Sequence, residues 1–304
     1  MDTELVDPRY RDVEQWPIRQ AVEAMLEGQM AAVAALQTQT AAIAAAADAA
    51  ALRLEQGGRL GFVGAGTSGR LAVLDGTELH PTFGWPAERS IFLMAGGPDA
   101  LIRAKEGAED DEETAQEQIA AHTIGPTDVV IGVAASGRTP FTVAALTAAR
   151  RTGALTIGIT NNTGTPLIAA AQHGVVAATG SEIIAGSTRM KAGTAQKAAL
   201  NLLSSAIMLR LGLVYRGRMV AMRVSNAKLL RRAQAMVQEL SGVDAAAAAH
   251  ALELGGNDIR HAVLIAHGAT AEVAADLLRI HRGRLQGALD ALLTEFGGTP
   301  SVMR

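Results

Sequence analysis

The sequence predicts an α/β fold, a parallel five-stranded sheet with flanking helices, followed by a small helical C-terminal domain. Three observations carry this. Short apolar runs alternate with helical stretches from about residue 59 to residue 211, each run stops at a turn rich in glycine or hydroxyls, and the strand signal vanishes after Asn226. Strands buried on both faces read as near-continuous apolar runs, and their alternation with helices builds a parallel sheet. Ligands of such sheets bind beyond the carboxyl ends of the strands, where the polar turns fall here.

The elements follow in order. Residues 1–17 are charged and irregular, with Pro8 and Pro17 as breakers. Residues 18–54 are helical in pattern, with Gly28 as an expected joint, and Gly57-Gly58 stops them. Strands are expected at 59–63, 90–94, 128–133, 155–160 and 175–178. The first ends in Gly64, the second in Gly96-Gly97, the third in Ala135-Ser136-Gly137, the fourth in Asn161-Asn162 and the fifth in Thr179-Gly180. Helices are expected at about 68–79, 139–151 and 194–211. Beyond them, Gly242, Gly255-Gly256, Gly268 and Gly283 separate several short helices. The expected division is a helical segment over 1–54, a ligand-binding α/β domain over 55–226 and a helical domain over 227–304.

Composition narrows the function classes. The chain has 304 residues, 49% hydrophobic and 19% charged, enough to bury a broad core. Aromatics are 3%, net charge is −3 and no long basic run occurs, so nothing marks a nucleic-acid surface. No cysteine is present, which removes thiolate catalysis and cysteine-ligated metals. The seven histidines fall in no metal-binding spacing, so no metal and no cofactor is expected. The acidic start Met1-Asp2-Thr3-Glu4 is unlike a signal peptide, and polar residues interrupt the longest apolar stretches. The expectation is a soluble cytoplasmic protein with no membrane and no nucleic-acid partner.

Gly64-Ala65-Gly66-Thr67-Ser68-Gly69-Arg70 reads G-x-G-x-x-G between a strand and a helix, the dinucleotide pattern. That pattern also requires a carboxylate at the end of the second strand, for the ribose. The second strand ends Met94-Ala95-Gly96-Gly97 and has none, which argues against a nicotinamide. Thr67 and Ser68 point instead to a phosphate or sugar oxygen held by hydroxyls and backbone N–H groups at a helix start. Ser136, Arg138 and Thr139 repeat this chemistry after the third strand, and Ser187, Thr188 and Lys191 repeat it before the long helix. Helix capping explains any one such cluster. Three on one side of one sheet point to a polyoxygenated anion.

Two acidic segments accompany these turns. In 75–82, Glu78 is read as sitting in a turn beside His80-Pro81, with His80 near the site. In 106–113, Glu109 follows a Gly-Ala pair that permits close backbone approach, whereas Asp111, Glu112 and Glu113 read as a solvated face. Two glutamates around one sugar divide acid and base work.

In their order along the chain these motifs resemble one family. Gly64 to Arg70, Asp75-Gly76-Thr77-Glu78, Glu106 to Asp110, Ala134 to Pro140 and the long run Gly186-Ser187-Thr188-Arg189-Met190-Lys191-Ala192-Gly193-Thr194-Ala195-Gln196-Lys197 resemble the N-acetylmuramic acid 6-phosphate etherases, which are built on the sugar isomerase (SIS) fold. The match runs from about Gly58 to Lys228. The resemblance implies a carbon–oxygen lyase of peptidoglycan recycling. It would cleave the D-lactyl ether of N-acetylmuramic acid 6-phosphate by elimination and then water addition. By position, Glu78 resembles the family's proton donor and Glu109 its second catalytic glutamate. Thr67, Ser68, Ser136, Arg138, Thr139, Ser187, Thr188 and Lys191 would hold the sugar phosphate, the last three in part from a second subunit of a homodimer. Two departures stand out: His80 replaces the first of two prolines, and Asp75-Gly76-Thr77 replaces Asp-Ala-Ser. A non-catalytic sugar-phosphate sensor, like the glucokinase regulatory protein that resembles this family, and a sugar-phosphate isomerase or dehydrogenase on the same sheet are the alternatives.

Overall fold

The computed structural model of the chain describes residues 1–295, so the part of the expected C-terminal domain over 296–304 lies outside the described residues. The five strands are β1 (Leu60–Gly64), β2 (Ser90–Met94), β3 (Val129–Val133), β4 (Leu155–Thr160) and β5 (His173–Val176). All pair in parallel in the order β2-β1-β3-β4-β5. The helices are α1 (Ile18–Ala34), α2 (Thr40–Leu54), α3 (Gly66–Phe83), α4 (Glu112–Ala121), α5 (Pro140–Arg151), α6 (Pro166–Ala170), α7 (Lys191–Arg210), α8 (Ala227–Ser241), α9 (Ala245–Leu254), α10 (Ile259–Ala266), α11 (Ala271–Ile280) and α12 (Leu285–Glu295).

The sheet is covered on both faces, which explains its unbroken apolar strands. β1, β3 and β4 are buried at every position. Val63, Val130, Phe141, Leu146 and Ile119 form one core with α4 and α5. Phe62 points the other way. It stacks on Phe92 with centroids 5.7 Å apart, and α3 crosses this pair at Gly76. A Cβ there would come within 2.6 Å of both rings, so any larger residue fits only if the rings move.

The chain divides into two compact units. The first comprises Met1–Thr77 and Ala87–Ile207, and the second Glu78–Pro86 and the chain from Met208 onward. In the second, Val220, Val237, Leu252, Val263, Leu278 and Leu285 anchor the core of α8–α12. Its helix starts are capped by side chains. Asn226 accepts from Leu229 N, Asp244 from Ala247 N, Asp258 from Arg260 N and His261 N, and Thr270 from Val273 N.

Several boundaries differ from the sequence reading. The joint in the long N-terminal helix is a 3-10 turn at Ala35–Gln39, not Gly28, which lies inside α1 and gives room to the Lys191 stem. The acidic run at 111–113 starts a helix that the strand-and-turn pattern hid. Asp111 caps α4 by accepting from Thr114 N and Oγ1, while Glu112 and Glu113 occupy the first turn, where the helix dipole favours negative charge. Among the described residues one stretch, Ile18–Leu54, is long and apolar enough to cross a membrane. The turn at Ala35–Gln39 splits it, and its α2 half packs on β3, β4 and β5.

Candidate functional site

β1 is followed by α3 and leads outward to β2, whereas β3 returns to the other side of β1. The strand order therefore reverses between β1 and β3, and a crevice opens at their carboxyl ends. Gly64 of β1 lies opposite Val133 of β3, so the turns that carry Thr67-Ser68 and Ser136-Gly137-Arg138-Thr139 are neighbours. The start of α7 joins them, because a Cβ on Gly193 would lie 3.8 Å from Thr67 Cγ2 and 3.3 Å from the Thr188 carbonyl. The three hydroxyl clusters meet at one place.

The glycines of the first turn explain its likeness to a dinucleotide loop. Gly64 and Gly69 pass so close that a Cβ on either would lie 2.6–2.8 Å from the other's backbone, and Gly66 has φ +53°. Both patterns need a strand turning sharply into a helix that lies against it. The similarity is backbone geometry and does not specify the ligand.

The hydroxyls are not used as caps. Thr139 sits at the N-cap position of α5, yet its side chain makes no capping bond. Thr67, Ser68, Ser187 and Thr188 make no side-chain hydrogen bond to any described residue. Ser136 Oγ accepts from Arg138 N, which leaves its own proton free to donate. Arg138 itself is exposed. Lys191 is partly committed, since its ammonium donates to the Thr179 carbonyl at 2.9 Å.

The cap of α7 is a residue the sequence reading passed over. Glu182 is completely buried, and its two carboxylate oxygens accept from Lys191 N and Ala192 N, both at 2.9 Å. A buried network extends from it along the carboxyl edge. Asn161 donates to the Ala177 and Ala192 carbonyls and accepts from Gln196. Asn162 donates to the Ala135 carbonyl and to Thr3 Oγ1, and accepts from Asp2 N. Gly186 N donates to the Thr3 carbonyl, so the N-terminal segment, read as merely irregular, straps the turns after β4 and β5. The Asn-Asn pair at the end of a strand was the available signal, whereas nothing local marks Thr3 or Glu182.

The two glutamates are placed differently from the expectation. Glu109 is exposed, in a 3-10 turn after Gly107, whose φ of +73° requires glycine. No atom lies near a Cβ built there, so this glycine serves the left-handed backbone and not a close approach. Glu109 lines a cavity of about 230 Å³ together with Ala65 and Gly66. Glu78 is not in a turn. It lies inside α3, exposed, ten residues after Ser68 and so about 15 Å along the helix axis. His80 is a staple of the helix end, with Nδ1 2.8 Å from the Trp85 carbonyl. Asp75 is buried. Desolvation pushes its carboxyl above the usual range, opposed by hydrogen bonds from Ser204, Lys197 and Asn201.

The glucokinase regulatory protein N-terminal SIS domain family matches residues 42–150, and the SIS domain family matches residues 107–206. The chain is 50% identical over 287 residues to the N-acetylmuramic acid 6-phosphate etherase of Deinococcus radiodurans, covering 94% of this chain and 92% of that protein. It is 52% identical over 222 residues to the etherase of the same name from Symbiobacterium thermophilum, 73% of this chain and 74% of that one. Among solved structures, a phosphoheptose isomerase from Francisella tularensis aligns at 20% identity with a TM-score of 0.45, over 64% of this chain and 98% of that one.

Proposed function

The chain belongs to the N-acetylmuramic acid 6-phosphate etherases, and on that premise we propose that it is a carbon–oxygen lyase that cleaves the D-lactyl ether of N-acetylmuramic acid 6-phosphate. The products are N-acetylglucosamine 6-phosphate and D-lactate, a step of peptidoglycan recycling carried out in the cytoplasm. Hydroxyls at the crevice that neither cap helices nor bond to the protein are the observation that carries the sugar-phosphate assignment. A hydroxyl held at a helix start and left without a partner is ready to donate to a phosphate or sugar oxygen.

The chemistry needs a base and an acid. In the open-chain sugar the aldehyde acidifies the C2 proton. A carboxylate removes it, the C3–O bond breaks, and the leaving alkoxide takes a proton as D-lactate departs. Water then adds to the unsaturated aldehyde at C3. We assign the pair to Glu109 and Glu78, with Thr67, Ser68, Ser136, Arg138, Thr139, Ser187, Thr188 and Lys191 around phosphate and sugar. One α3 carries Ser68 and Glu78 about 15 Å apart, too far for both to touch the same part of one sugar. The working site is therefore a homodimer's, with Glu78 supplied by a second copy. The face of α1 supports this: Ile18, Val22, Leu26 and Met30, spaced by four, are each at least 52% exposed.

Purified protein given N-acetylmuramic acid 6-phosphate should release D-lactate. Folded protein that binds the substrate and releases none would favour the sensor reading, which the match to the glucokinase regulatory protein domain keeps in view. Light scattering should give a dimer, and a monomer of full activity would contradict the shared site.

A further inference from the structure

The cavity beside Glu109 has the wrong chemistry for a phosphate. No serine or threonine lines it. Alkyl groups of Ala65, Met94, Ala95 and Ala100 form one part of its wall, and its volume of about 230 Å³ is below the roughly 300–1,000 Å³ of a pocket that holds a whole ligand. It suits one arm of a substrate.

Its charges define that arm. Arg70 lines the cavity, but Nε and one Nη of its guanidinium are held by the Ala100 and Leu101 carbonyls at 2.9–3.1 Å. Glu106 and Glu109 are the carboxylates. Lys105 is the remaining cation. Its stem crosses Gly96, where φ is +81° and a Cβ would come within 3.0–3.1 Å of the lysine carbons, so the backbone of that turn is shaped to seat it. Its ammonium has only a loose partner in Asp99, 3.7 Å away with 84% of that side chain exposed. Such a pair is weak and easily exchanged.

We propose that this cavity receives the lactyl arm of the substrate and that Lys105 binds its carboxylate, a specificity determinant that separates the ether-bearing sugar phosphate from one without the arm. The inference rests on the etherase reading. Two carboxylates in the same cavity repel a third, so an anionic arm enters only with a cation beside it. The alkyl walls accept the methyl group of the arm, and Glu109 at the same cavity stands near the bond that breaks.

The test compares N-acetylmuramic acid 6-phosphate with its lactyl carboxamide, which is isosteric and uncharged, on full-length wild type, Lys105→Ala and Lys105→Arg. Loss of one charged hydrogen bond at a half-exposed site should raise KM for the carboxylate substrate roughly tenfold in Lys105→Ala, with kcat nearly unchanged. The same variant should match wild type on the carboxamide, and Lys105→Arg should restore most of the loss. Equal loss on both substrates, or none on the carboxylate, overturns the proposal. If wild type releases no D-lactate at all, the etherase reading fails separately. Calorimetry then decides for Lys105: it stands if Lys105→Ala loses the wild-type preference for N-acetylmuramic acid 6-phosphate over N-acetylglucosamine 6-phosphate, and falls if the preference is unchanged or absent.

Discussion

Helix starts in the C-terminal unit and helix starts at the carboxyl edge of the sheet use similar residues to opposite ends. In the first region Asn226, Asp244, Asp258 and Thr270 turn their side chains back onto backbone N–H groups. In the second, Thr139 stands at an N-cap position without capping, the side chains of Thr67, Ser68, Ser187 and Thr188 hydrogen-bond to no described residue, and a buried glutamate caps α7 in place of nearby hydroxyls. A cap contributes about 1 kcal/mol to stability. A hydroxyl that gives this up is available to a ligand. The two regions therefore predict opposite responses to the same kind of substitution.

The sharpest break comes from the glutamates. Glu109→Gln and Glu78→Gln should each lower turnover by roughly a hundredfold to ten-thousandfold, since each would remove a proton-transfer group of the proposed mechanism. Both side chains are exposed, so thermal midpoints should stay at the wild-type value. A loss of stability that matched the loss of activity would move these residues into the structural class. If Glu78 comes from a second copy, mixing the two inactive variants should restore part of the activity by forming heterodimers with one intact site. Absence of complementation in mixed dimers would contradict the shared site.

Smaller effects separate the two classes of hydroxyl. Ser68→Ala should raise KM by up to about tenfold, the worth of one hydrogen bond, and Thr139→Val should do the same without measurable cost in chemical denaturation. Were Thr139 a cap after all, Thr139→Val would cost about 1 kcal/mol. Asp244→Ala and Thr270→Ala should show the reverse, about 1 kcal/mol lost in denaturation with kcat and KM unchanged.

The mildest test is pH. Burial raises the Asp258 carboxyl, but hydrogen bonds from His261 and Arg260 outweigh it and hold the group well below the usual carboxylate range. A depressed folded pKa contributes stability that is full above the unfolded value of about 3.9 and is lost as pH falls toward the folded one. The C-terminal unit should therefore weaken below about pH 4, and Asp258→Asn should flatten that dependence while lowering stability at neutral pH.

The sheet was legible because parallel strands buried on both faces cannot hide their apolar runs, and the switch point followed once the turns were placed. The hydroxyl clusters were legible too, though only the folded chain separates a non-capping Thr139 from a capping Thr270. What escaped was non-local. Glu182 reads as one acid among many until α7 is seen to start on it. Thr3 reads as tail until its carbonyl meets Gly186. Glu78 looked like a turn residue because proline follows closely, yet α3 continues to Phe83 with Pro81 in its last turn. Lys105 carries no motif at all, and only the cavity draws attention to it.

The central claim, ether cleavage through loss of the C2 proton, is tested most directly by turnover of N-acetylmuramic acid 6-phosphate in deuterium oxide. The account predicts D-lactate and N-acetylglucosamine 6-phosphate in equal amounts, with deuterium at C2 of the sugar. Sugar product that keeps its C2 protium, or substrate returned without lactate, would contradict it.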